Sequence, residues 1–146
     1  MVWVAPVVAQ EGSSKSMELV RDAAKSNKKA LIAVNLKLTP AEEKGFWPVY
    51  DSYQADLDKI TERLGTLIVD YAKEFNADSL SDAKAKELMK NYLACEEDII
   101  KLKKDYLSKF DAVIPGKKVM TYYQLENKIG AIIRYDAAGQ IPLALQ

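Results

Sequence analysis

Large apolar residues recur through the first half of the chain at Phe46, Tyr50, Tyr53, Leu57, Ile60, Leu64, Leu67 and Tyr71, in steps of four, three, four and three. Steps averaging 3.5 residues put all of them on one stripe of an α-helix, the pattern of a helix that packs along another. A start signal precedes the stripe. Thr39 reads as an N-cap, and Pro40 as the first helical residue, whose missing N–H would find no intrahelical acceptor anyway. Glu42 reads as the capping-box partner, with Glu43 adding favourable charge. Turn chemistry at Asn76, Ala77, Asp78 and Ser79 closes the helix, so the pattern predicts a helix over 40–76, about 55 Å long at 1.5 Å per residue.

A second stripe follows at Leu88, Tyr92, Cys95, Ile99, Leu102, Tyr106, Phe110 and Val113, on a helix capped by Ser79 or Ser81 and ended by Ile114-Pro115-Gly116. A further helix is expected from Pro115 or Lys117 to Ala138, with Val119, Tyr122, Leu125, Ile129, Ile132 and Ile133 on its buried side and Gly139 as its stop. Upstream, residues 16–36 carry a looser pattern, broken at Ser26-Asn27-Lys28-Lys29, that reads as one helix or two short ones. The apolar tail from Ile141 to Leu145 is expected to dock or to add a partner contact.

So short a link between the two striped helices makes them antiparallel neighbours. The expected fold is all-α: a long antiparallel helical hairpin with additional N- and C-terminal helices, an elongated four-helix architecture. One seam leaves flanking residues such as Trp47, Val49, Ile68, Phe75, Leu93, Ile100 and Leu107 to be covered, partly by the outer helices and partly by a second protomer, so a homodimer is expected. Gly45 and Pro48 fall inside the second helix. Because Phe46 and Tyr50 keep the stripe across Pro48, the reading is one bent, continuous helix. Trp47 then faces a partner or packs against the first helix.

Composition narrows the chemistry. The chain has 146 residues, 49% hydrophobic and 29% charged, enough for one domain with a core. Zero net charge disfavours nucleic acid. Histidine is absent and Cys95 is the sole cysteine, which removes zinc, haem and Glu-x-x-His di-iron readings and leaves no cofactor expected. Cys95 reads as a small buried thiol, with an intermolecular disulfide as the alternative. Glu96, Glu97 and Asp98 read as solvated charge, Glu97 pairing with Lys101, and not as a metal or acid–base site. No catalytic constellation is present, and the expectation is a protein that is not an enzyme.

Residues 1–9 are apolar and uncharged, with Val7 and Ala9 satisfying the small-residue rule before Gln10. The basic n-region is missing, so the alternatives are a start further upstream or a plain apolar N-terminus. The expectation is export: residues 1–9 as a signal-peptide remnant and 10–146 as a single all-helical domain. Beyond that run no apolar stretch nears the roughly 18 residues of a membrane span, so none is expected in the mature chain.

Leu38-Thr39-Pro40-Ala41-Glu42, in an all-helical chain after an export-like segment, resembles the Spy/CpxP-like periplasmic family, named for a Leu-Thr-x-x-Gln motif. Glu42 stands where the family has glutamine. Met120-Thr121-Tyr122-Tyr123-Gln124 is a weaker echo, with Met in place of Leu. The resemblance implies a cradle-shaped helical homodimer in the periplasm, an envelope-stress protein that binds unfolded proteins without ATP through a concave basic and apolar surface. Here the contact candidates would be Phe46, Trp47, Lys117, Lys118, Tyr122 and Tyr123. The expected function is therefore an exported, non-enzymatic chaperone-like protein binding unfolded or partner proteins through a curved helical surface. The alternative is an adaptor or regulatory module docking one specific protein partner. A small-molecule site lined by Trp47, Tyr50 and Tyr53 is the third class.

Overall fold

The computed structural model describes residues 27–145. Among these residues it is all-α, with four helices and no strand: α1 (Lys28–Leu36), α2 (Pro40–Asn76), α3 (Asp82–Asp111) and α4 (Gly116–Ala138). The expected signal remnant and the expected first turns of the N-terminal helix lie outside the described residues.

The start of α2 follows its local chemistry. Glu42 N–H donates to Thr39 Oγ1 at 3.2 Å and Thr39 N–H donates to Glu42 Oε2 at 2.9 Å, so each residue satisfies a backbone donor that the first turn leaves without a partner. The helix then runs unbroken through Pro48 for 37 residues. Ser81 caps α3, its hydroxyl accepting the Lys84 N–H at 3.1 Å. Ser79, the other candidate, reaches back instead, donating its hydroxyl to Glu74 Oε2 at 2.7 Å. Asp78, at φ 50°, takes the left-handed conformation that turns the chain between α2 and α3. At the end of α1 Lys37 does the same at φ 49°, its N–H donating to the Ala33 carbonyl at 3.2 Å.

The chain divides into two compact units, with the boundary inside α4. One comprises Leu38–Val119 and the residues from Gly139 on; the other holds α1 and Met120–Ala138. In the first, α2 and α3 form the antiparallel hairpin. Its interior is aromatic near the α2 N-terminus: Phe46, Tyr50, Tyr53, Tyr106 and Phe110 are buried, with ring centroids 5.6 Å apart for Phe46 and Phe110 and 5.3 Å for Tyr53 and Tyr106. Burying each of the two phenylalanines contributes about 1.5–3 kcal/mol. Burial thins toward the α2–α3 turn, where Leu64, Leu67 and Tyr71 are only half-buried and Tyr92, a stripe residue, is exposed. Two helices alone enclose a single seam, and side chains at its margin stay wet. The tail meets the hairpin where Tyr71 OH donates to the Pro142 carbonyl at 2.7 Å.

The second unit buries Ile32 and Leu36 of α1 and Tyr122, Glu126 and Ile129 of α4. Lys28 Nζ lies 2.7 Å from Glu126 Oε2, which answers the cost of taking that carboxylate out of water.

Candidate functional site

The six contact candidates do not share one fate. Phe46 and Tyr122 are interior residues with essentially no surface, so a client could reach them only if their packing opened. Trp47 keeps part of its surface. Its ring stands edge-on to Phe46 at 4.9 Å and 74°, and to Tyr50 at 5.3 Å and 83°, so the buried cluster holds it in place. Tyr123 is half-buried, its ring 5.8 Å from that of Tyr122. Lys117 is exposed, whereas Lys118 donates to Glu42 Oε2 at 2.6 Å and so completes the α2 cap. That hydrogen bond, followed by the Thr39 N–H, holds the Glu42 carboxyl below its ordinary pKa. The structure thus brings Phe46 to Trp47 and Tyr122 to Tyr123, and it employs Lys118 in local structure.

The two five-residue echoes also differ in place. The first forms the α2 cap, whereas Thr121 and Gln124 of the second lie within α4. Along with Asn35, Leu125, Asn127 and Lys128 they line an open notch of about 330 Å³. Among the described residues no group of three or more side chains could hold a metal ion. Asp98, from the acidic triplet, accepts from Arg63 Nη1 at 2.6 Å and ties α3 to α2. Lys101, expected to pair with Glu97, pairs with Asp105 at 2.8 Å, which is equally four residues away on the other side. Cys95 is a buried thiol. Trp47, Tyr50 and Tyr53 pack into the aromatic interior, with Tyr53 against both Tyr106 and Phe110.

A further hydrogen-bonded polar pair of the hairpin joins Tyr106 to Asp56. Tyr106 OH donates to Asp56 Oδ2 at 2.7 Å. Burial, and then this bond, push the Tyr106 pKa up to about 12, and the same bond, with Lys59, lowers that of Asp56. The bond ties α3 to α2.

What the hairpin does present is apolar surface. Ile68 and Val69 on α2, and Met89, Tyr92, Leu93, Ile100 and Leu107 on α3, are all exposed. Several of these were legible as flanking positions; Val69, Met89 and the exposure of Tyr92 were not, since a stripe pattern does not say where the covering stops. The fold and surface define a class, a helical-hairpin protein whose outer face carries large apolar side chains among charges. No protein-family model matches the chain, and no curated protein or solved structure is significantly similar to it. No helix among the described residues is long and apolar enough to cross a membrane.

Proposed function

We propose that the protein is an exported, non-enzymatic, chaperone-like envelope-stress protein that binds unfolded proteins through the outer face of its helical hairpin. The observation that carries this reading is the group of exposed apolar side chains near the α2–α3 turn, Ile68, Val69, Met89 and Tyr92, within a chain whose helices are otherwise densely charged. Such surface is costly to leave in water and gives a low-specificity contact for the apolar segments of an unfolding chain. The resemblance of Leu38-Thr39-Pro40-Ala41-Glu42 to the Spy/CpxP-like family supports the same reading, as does the export-like character of residues 1–9. Of the contact candidates, Trp47, Lys117, Lys118 and Tyr123 keep surface, Lys118 with its amine on Glu42.

The test is suppression of aggregation. A client diluted from denaturant is followed by light scattering with the protein in several-fold excess, alongside Ile68→Asp and Tyr92→Asp variants. The expected result is reduced scattering that each variant weakens. No suppression by the wild-type protein overturns the proposal.

A further inference from the structure

Leu93, Ile100 and Leu107 of α3 are 53%, 54% and 46% exposed and follow one another at seven-residue steps. At 3.6 residues per turn they form a second stripe, roughly a third of a turn round the helix from the stripe that packs on α2. A stripe of this kind is the seam of a helix pair. The charges beside it identify the partner. Glu96 and Glu97 precede Ile100 by four and three residues; Lys103 and Lys104 follow it by three and four.

We infer that α3 pairs with α3 of a second copy of this chain, antiparallel and centred on Ile100. In a two-fold antiparallel contact a residue before the centre meets the residue that lies about as far after it on the same side of the stripe. Ile100 then meets itself, and Leu93 meets Leu107 of the second copy. On one side of the stripe Glu96 meets Lys103, and on the other Glu97 meets Lys104. Every one of these pairings joins apolar to apolar or acid to base, as a self-complementary two-fold interface requires. A parallel pairing would set Glu96 and Glu97 against their own copies and the lysines against theirs, which is unfavourable. The charge pattern therefore selects both the occupant and its direction. Within the chain Asp98 pairs with Arg63 and Lys101 with Asp105. This inference stands apart from the client reading: it is read by mass, the other by aggregation.

The test uses the full chain and measures its mass in solution by light scattering and sedimentation. The wild-type protein should have twice the 16.3 kDa of one chain. Ile100→Asp and, separately, Glu96→Lys with Glu97→Lys should each weaken the dimer roughly tenfold or more without loss of helicity, since all three residues lie outside the buried core. Mixing the Glu96→Lys/Glu97→Lys protein with a Lys103→Glu/Lys104→Glu protein should restore it. Under mild oxidation Ile100→Cys should cross-link to its own copy, whereas Leu93→Cys should cross-link only when mixed with Leu107→Cys. A single-chain mass for the wild type at every concentration overturns the inference, as would coverage of the stripe by the chain's own residues. A dimer indifferent to Ile100→Asp and to the charge reversal overturns it too. Self cross-linking of Leu93→Cys would mean parallel pairing and has the same effect.

Discussion

Gly45 and Gly65 both lie inside α2, yet replacing each with alanine should have opposite consequences. In a helix interior, Gly→Ala restricts the unfolded chain and removes the entropic cost of glycine, a gain of about 0.8–1.0 kcal/mol when the new methyl is accommodated. At Gly65 a Cβ would meet nothing within 4 Å, so the full gain is expected. At Gly45 the Cβ would fall 2.9 Å from both Cβ and Cγ1 of Val113, closer than such atoms tolerate. These atoms belong to a β-branched side chain directly beside its backbone and cannot swing away. Overpacking of this kind costs about 1–3 kcal/mol, which offsets the helix gain and leaves Gly45→Ala between neutral and about 2 kcal/mol destabilised. The two variants should therefore differ by about 1–3 kcal/mol in urea unfolding followed by far-UV circular dichroism, or by several degrees in Tm. Val113→Gly removes both obstructing atoms, and in that background Gly45→Ala should recover the gain seen at Gly65. If Gly45→Ala alone stabilises as much as Gly65→Ala, the close approach of α2 to the end of α3 is wrong.

Phe110→Ala should cost about 3–5 kcal/mol in the same unfolding assay, because the ring is fully buried against Phe46, Tyr53 and Tyr106; a loss below about 1 kcal/mol would contradict that packing. Glu42 has a folded pKa below its ordinary 4.5, so its contribution is present above pH 4.5 and is lost as pH falls through the lower folded value. Its carboxyl resonance should titrate with a midpoint under 4.5, and Glu42→Gln should flatten the acid limb of the stability curve; a midpoint at or above 4.5 would remove the Lys118 contact. Tyr106 behaves in the opposite sense. With a folded value near 12 against an ordinary 10.0, it stabilises the fold fully below pH 10 and loses that contribution as pH rises toward 12. Ultraviolet titration should show a late tyrosine phase near pH 12, and Tyr106→Phe should delete it; ionisation of Tyr106 at the ordinary 10.0 would contradict the burial.

Helix ends were legible because their causes are local. Thr39, Pro40 and Glu42 sit within four residues of one another, and the capping box they form needs nothing from the rest of the chain. The same holds for Ser81 and for the repeat that sets α2 on a single buried stripe, so the all-α hairpin followed from spacing alone. The site was legible in part. Leu93, Ile100 and Leu107 stood out as flanking positions, and Trp47 as an aromatic with surface. The Phe46 and Tyr122 candidates carried the same aromatic signal and are interior.

What the sequence determined by itself was therefore the two hairpin helices, their limits and the stripe along which they pair, since periodicity and capping act over three or four residues; it did not foresee that Val34, Tyr92 and Ile133, read as apolar positions of packed faces, stay exposed. The tertiary structure decided which side chains on those faces keep contact with water and which charges find each other. Lys118 meets Glu42 across 76 positions, Tyr106 meets Asp56 across 50, and Val113 closes on Gly45. Lys101 had two acids at equal spacing and paired with Asp105. Such pairings depend on where whole helices come to rest, and local spacing is the same whichever way they do.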